Sequence, residues 1–434
     1  MKTVPTQRTW QKWLGRGFFA ILDQAIFGFA HLCIHILAAR WMTIDAYGRF
    51  AGVYALIVLG HMVHNAFIIE PSLVFGSTDD STRKAVFTAD VVKLNFHLSS
   101  ALLAVGAVVA VLGLFIIRHP LVIAVALSLT AVALLSPFWL VRRLFYLSAA
   151  SGKAALTTAA YASACLSALL TLQYYNVFTY QSAVAVMAIA GALTGGVVLL
   201  LTQRQIENIF VWPTSIALGF ASYGRWAVGS AVLIWAISNA YYLVLPLLAS
   251  AADAGSFRAI VNLFLPIQHA LVGTAALLLP IFSRRVASRK PFALRNWLSP
   301  AVLLMSVGCI YSLVIYLGGA QILFYAYDGK YAEVLPALTP ALLLPPAWAI
   351  IIYCNTVLRS LNKPRAVFQA HMFVAIFLAS WLVPLSATQG FYSSMWGFGI
   401  LQTGLVAAVL FRSWIEIKRV QPEIRDEVPI SSTT

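Results

Sequence analysis

Charge is scarce in this chain. Of its 434 residues, 10% are Asp, Glu, Lys or Arg, against roughly 25% in soluble globular proteins, which excludes a simple soluble enzyme. Acidic residues are scarcer still, at 14, and form no Asp-rich motif for a divalent metal. There is no GxxxxGK[ST] phosphate loop and no HExxH zinc motif, so neither a nucleotide motor nor a metal-dependent hydrolytic centre is encoded. Cysteine is nearly absent. Cys33, Cys165, Cys309 and Cys354 each lie in an apolar stretch with no CxxC spacing, and so read as small packing residues rather than disulfide or metal partners.

What the chain has is hydrocarbon and positive charge. It is 61% hydrophobic with a formal net charge of +15. A nucleic-acid binder would gather its Lys and Arg on one face or tail. Here they stand in small clusters between apolar runs, the pattern of a membrane protein with basic loops, and nucleic acid is not an expected partner. Lys2, Arg8, Lys12 and Arg16 precede the first apolar run like the start of a signal peptide. The run is too long and no small-residue cleavage site follows. It reads as an uncleaved first transmembrane helix with Trp10 and Trp13 as interfacial anchors.

Spanning a bilayer takes about 20 mainly apolar residues, and runs of that kind predict twelve spans: 17–41, 49–70, 94–117, 121–147, 154–175, 181–202, 225–249, 258–282, 298–320, 335–357, 366–386 and 394–414. Pro137, Pro246, Pro266, Pro384 and the pair Pro345–Pro346 fall inside spans, where a missing backbone donor kinks or curves a helix. With the N-terminus placed in the cytoplasm, 24 of the 29 basic residues fall on that side. Only Arg40, Arg49, Arg118, Arg258 and Lys330 fall outside. Positive charge is retained on the cytoplasmic side during insertion, so both termini are expected in the cytoplasm. No loop is long enough for a globular domain; the longest extracytoplasmic one runs over 321–334.

The linker between the first two spans reads Ala39-Arg40-Trp41-Met42-Thr43-Ile44-Asp45-Ala46-Tyr47-Gly48-Arg49-Phe50. An echo, Asp253-Ala254-Gly255-Ser256-Phe257-Arg258, joins the seventh and eighth, and Gly48 and Gly255 stand 207 residues apart, close to half the chain. Six plus six spans in parallel topology is the natural reading. The predicted fold class is therefore an all-α integral membrane protein of about twelve transmembrane helices in two pseudo-symmetric six-helix lobes. Its parts are an interfacial segment over 1–16, an N-lobe over 17–202, a linker over 203–224, a C-lobe over 225–414 and a tail over 415–434.

These two hairpins, with Arg142-Arg143-Leu144-Phe145-Tyr146 leading into the loop after the fourth span, resemble the Wzx-type polysaccharide flippases of the multidrug/oligosaccharidyl-lipid/polysaccharide exporter superfamily. The resemblance covers essentially the whole chain in length, span number and charge pattern. It implies a transporter, not an enzyme, in the bacterial inner membrane. Such a protein moves undecaprenyl-pyrophosphate-linked oligosaccharide to the periplasmic leaflet for O-antigen or exopolysaccharide assembly. Membrane lipid is then a partner, other polysaccharide assembly proteins are further candidates, and no cofactor is implied beyond proton or sodium coupling. The superfamily's lipid II flippases usually carry fourteen spans, against twelve here.

Polar groups inside a bilayer are costly and tend to face a wet interior. Gln24, His31 and His35 fall nearly on one line of the first span, His61, His64 and Asn65 on one face of the second, and Arg258, Asn262 and His269 at i, i+4 and i+11 in the eighth. Together they suggest a polar, partly cationic substrate cleft, although any single His also reads as a packed core residue. Arg258 is the best candidate to grip pyrophosphate bidentately, with a solvated loop charge as the alternative. Arg40, beside Trp41, either contributes weakly or snorkels. Asp23 is the one carboxylate inside an apolar run. The resemblance implies a coupling role for an acidic residue on the first helix; proximity to Arg16 and the cytoplasmic surface implies a structural one.

Two rivals stand beside this reading. A cation-coupled small-molecule or drug antiporter of the same superfamily would need a smaller, more aromatic and less basic cavity. An integral membrane polysaccharide polymerase or glycosyltransferase would need reactive groups gathered on an extracytoplasmic loop, for which only Asp328, Lys330 and Glu333 qualify.

Overall fold

The computed structural model describes residues 7–75, 81–148, 150–202, 208–287, 294–361 and 363–426. Residues 1–6, 203–207 and 427–434, parts of the expected interfacial segment, linker and tail, lie outside them. Among the described residues there are helices and turns and no strand. Nine helices among these residues are long and apolar enough to cross a membrane, or up to eleven if each of two bent pairs makes one span. The protein is thus a multi-pass membrane protein. By contact the chain divides into two compact units, Met1–Trp235 and Ala236–Thr434.

In the first unit, α1 (Gln7–Trp41) is followed by α2 (Ile44–His64), which continues through a π turn (Asn65–Ile69) into α3 (Glu70–Phe75). Then come α4 (Ser81–Val111), α5 (Pro120–Leu147), α6 (Ser151–Tyr174), α7 (Tyr180–Thr202) and α8 (Thr214–Asn239), whose residues from Ala236 onward count with the second unit. Apolar side chains gain little by leaving lipid for a neighbouring helix, so close backbone approach through small residues supplies much of the packing. Gly191 and Gly195 provide it between α7 and α5. A Cβ on Gly195 would lie 2.3 Å from the backbone nitrogen of Phe138. Below this contact Ile68, Val91, Val92, Leu94, Leu140, Leu144 and Phe220 form an apolar core. The Trp235 indole donates to the Ala55 carbonyl at 2.7 Å, fixing α8 to α2.

The second unit holds α9 (Tyr241–Leu248), α10 (Ala251–Asn262), α11 (Leu265–Ala287), α12 (Leu294–Tyr327), a 3-10 turn (Ala332–Ala337), α13 (Leu338–Ala341) and α14 (Leu344–Ser360). It closes with α15 (Pro364–Val374), a π turn (Ala375–Ala379), α16 (Ser380–Ala387) and the 36-residue α17 (Phe391–Asp426). The prolines act in different ways. Pro345 and Pro346 open α14, where the 3-10 turn and α13 meet it at a bend of 41°. Pro266 stands in the first turn of α11, where its missing N–H has no helical acceptor to lose. The expected span 258–282 is accordingly interrupted between Asn262 and Leu265. The Tyr311 hydroxyl donates to the Leu263 carbonyl there at 2.7 Å, satisfying an acceptor that the interruption frees.

The repeat is visible in local geometry. Thr43 caps α2 by accepting from the Ala46 N–H at 3.2 Å, and Ser250, 207 residues later, caps α10 by accepting from the Asp253 N–H at 3.0 Å. At the same offset, His35 meets Phe50 edge to face at 5.5 Å, and Tyr242 meets Phe257 at 5.5 Å.

Candidate functional site

Within the first unit a chain of polar and aromatic side chains follows α1. Asp23 is fully buried. Its carboxylate accepts from Arg142 Nε at 3.2 Å and from an Arg142 terminal nitrogen at 2.7 Å, the bidentate geometry that makes arginine–carboxylate pairs strong. Tyr146, one turn beyond Arg142 on α5, donates its hydroxyl at 2.5 Å, and the Thr158 hydroxyl on α6 donates to the other carboxylate oxygen. Gln24 completes the shell at 3.4 Å. Three helices thus close on one carboxylate. The Arg142 guanidinium also lies 4.4 Å above the Phe27 ring and 5.4 Å from Phe138, so aromatic rings pack on it beside the edge that holds Asp23.

The aromatic contacts continue along α1. Phe27 packs on His31 at 4.3 Å, Phe138 stacks on Tyr161 at 4.3 Å, and Tyr161 lies 6.3 Å from His31. His31 Nδ1 is bonded to the Tyr54 hydroxyl at 3.0 Å; Tyr54 meets His35 edge to face at 4.5 Å; and His35 Nδ1 is bonded to the Tyr47 hydroxyl at 3.3 Å. Asp23, Phe27, His31 and His35 are each four residues apart, a gentle spiral on an α-helix, since four residues advance 400°. Helical spacing placed Asp23 off the line of Gln24, His31 and His35. Side-chain reach joins it to the same chain.

A second polar group lies between α2, α4 and α5. His64 Nε2 is bonded to Asn95 Oδ1 at 2.7 Å, the Asn95 amide donates to Ser136 at 3.4 Å, and Ser136 and Ser99 are joined hydroxyl to hydroxyl at 2.5 Å. His61 and His64 pack on Trp139 at 4.5 and 5.6 Å. Asn65 instead donates to Glu70 at 3.1 Å across the π turn. Arg40 is exposed at the end of α1.

In the second unit Arg258 is buried at 6% exposure, its guanidinium 5.0 Å from the Tyr242 ring. Asn262, one turn on, donates to the Tyr327 hydroxyl at 3.3 Å, which donates to the Ala259 carbonyl at 3.2 Å. Tyr331, outside the spans, stacks edge-on at 5.1 Å; burial, and then Tyr327, pushes its hydroxyl pKa up. His269 stands on the next helix. It is exposed on α11, beyond the interruption, so the i, i+11 spacing no longer describes one helical face. Arg258 is held within the unit rather than free in a loop.

Sequence reasoning found Asp23 and Gln24 but did not join Asp23 to Arg142, Tyr146 or Thr158. The i, i+4 spacing of Arg142 and Tyr146 was the available signal. Among the described residues no three His, Cys, Asp or Glu side chains converge to hold a metal.

No protein-family model matches the chain, and no curated protein matches it. Solved structures do. The lipid II flippase MurJ in an inward closed conformation superposes with a TM-score of 0.73 at 11% identity, over 95% of this chain and 91% of that one. An inward-facing multidrug resistance MATE transporter of the MOP superfamily gives 0.64 at 12%, over 94% and 99%. A point mutant of the Vibrio cholerae MATE transporter VcmN gives 0.61 at 14%, over 96% and 97%. The chain is similar to these transporters across almost its entire length, and its fold is that of MOP superfamily transporters.

Proposed function

We propose that this protein is a flippase for undecaprenyl-pyrophosphate-linked oligosaccharide, working by alternating access in the bacterial inner membrane to supply surface polysaccharide assembly. The observation that carries the reading is the near full-length similarity in fold to a lipid II flippase. A buried arginine on the repeat hairpin, Arg258, supports it, since guanidinium suits phosphate oxygens. Asp23 is the proposed coupling group. Taking up a proton or cation there would compete with Arg142 for the carboxylate, and the loosened pair would shift α1 against α5 and α6.

The second reading is a cation-coupled drug antiporter, which the MATE similarities favour. Lipid analysis of cells depleted of the protein separates the two. Complete repeat units on undecaprenyl pyrophosphate, trapped on the cytoplasmic face as judged by an impermeant glycan-modifying enzyme, are expected. Unpolymerised units on the periplasmic face would point to a polymerase. Absence of accumulation, with sensitivity to small cationic drugs, would establish the antiporter.

A further inference from the structure

A cavity of about 520 Å³ opens between α2, α4 and α5 of the first unit. Its walls are apolar: Leu56, Leu59 and Val63 from α2, Leu98 and Leu102 from α4, and Val132 from α5 are representative. The size falls in the range of sites that hold small organic ligands, roughly 300–1,000 Å³. Few polar side chains reach it: at one end His64, Ser99 and Ser136 are hydrogen-bonded to one another and to Asn95, and toward the other the Ser128 hydroxyl donates to the Val53 and Ala124 carbonyls. Such a cavity offers water too few partners and stays dry, whereas apolar ligands enter readily.

Its mouth identifies the ligand. Ala101 and Val105 line the cavity and are exposed, on the helix that is least buried among the candidate spans of the described residues. The same helix presents Leu103, Val108 and Val111 outward. Those residues face bilayer hydrocarbon, so the cavity is continuous with lipid rather than with water. Its walls extend from Leu56 to Ile68 along α2 and the π turn, about 18 Å at 1.5 Å per residue, which is an elongated slot. We propose that this cavity is a binding site for one acyl chain of a bilayer phospholipid, which enters past Ala101 and Val105 and ends against the His64–Asn95–Ser136 group. Bilayer phospholipid is the occupant because it surrounds the mouth at the highest concentration of any hydrocarbon, and an acyl chain that fills the slot restores the contacts an empty apolar cavity lacks. The inference is independent of the cargo proposed above.

The test uses the full-length protein in nanodiscs containing a phospholipid with a diazirine within its acyl chain, followed by irradiation and peptide mapping. Adducts are expected on inward-facing wall residues such as Leu59, Val63 and Leu98. Ala101→Trp, which plugs the mouth, should abolish them. Val108→Trp, adding the same bulk to the lipid face away from the cavity, should leave them unchanged. Adducts confined to outward residues such as Leu103, Val108 and Val111, or wall adducts that persist in Ala101→Trp, would overturn the proposal. So would displacement of the label by an equimolar long-chain polyprenyl phosphate, which would assign the slot to isoprenoid, and so would reaction of a Leu102→Cys variant with a membrane-impermeant thiol reagent, which would show water inside. Val105→Trp is the second plug should Ala101→Trp fail to fold.

Discussion

Asp23 and Arg142, 119 residues apart in sequence, are joined by two bonds along one guanidinium edge at 3.2 and 2.7 Å, and both are buried. Breaking a buried pair from one side strands the other charge, at a cost of about 3–5 kcal/mol. Asp23→Asn is therefore expected to lower thermal stability in detergent markedly, and Asp23→Asn with Arg142→Gln to recover most of that loss. If Asp23 couples transport, the recovered double variant remains deficient in gradient-driven export; restored export with normal gradient dependence assigns the pair to folding alone.

Arg258→Ala should impair export of the lipid-linked glycan while leaving membrane abundance near normal. The residue packs on Tyr242 at 5.0 Å, so Tyr242→Phe, which keeps the ring, should be mild and Tyr242→Leu more severe. Full glycan output from a well-expressed Arg258→Ala strain removes the residue from the mechanism.

Gly195 has no room for a side chain, because the obstacle is the Phe138 backbone rather than a flexible tip. Gly195→Leu should separate α7 from α5 and reduce folded protein, by at least the ~1–3 kcal/mol typical of overpacking. Fluorescence-detection size-exclusion profiles unchanged from wild type would contradict the close contact.

Removing the acceptor in Asn95→Leu leaves His64 Nε2 without its 2.7 Å partner. An unsatisfied buried group costs about 1–3 kcal/mol. His64→Leu together with Asn95→Leu should cost less than the sum of the single changes, as measured by a thermal-stability cycle.

Class, span pattern and repeat were legible in the sequence because lipid imposes long apolar runs and charge marks their ends. The eighth span was not fully legible. Apolar composition carries across Leu263 and Phe264 without a break, and only Pro266 hinted that the helix restarts there; the interruption also puts His269 on a different helix from Arg258 and Asn262. Within the candidate site, Asp23 stood out as a lone carboxylate. Its ligands lie on helices over a hundred residues away, and helical periodicity carries no information about which helices meet. Tyr54 and Tyr47 were passed over for a related reason, since tyrosine in a membrane helix looks like packing until its hydroxyl is seen to meet a histidine.

The length of α17 has a mechanical consequence. At 1.5 Å per residue its 36 residues extend about 54 Å, while the hydrocarbon core is about 30 Å thick. The surplus makes the helix a stiff lever rooted in the second unit. A modest tilt at its base becomes a much larger sweep at its tip, so a spin label or fluorophore near that end would register movements of the unit that are too small to follow inside the bilayer.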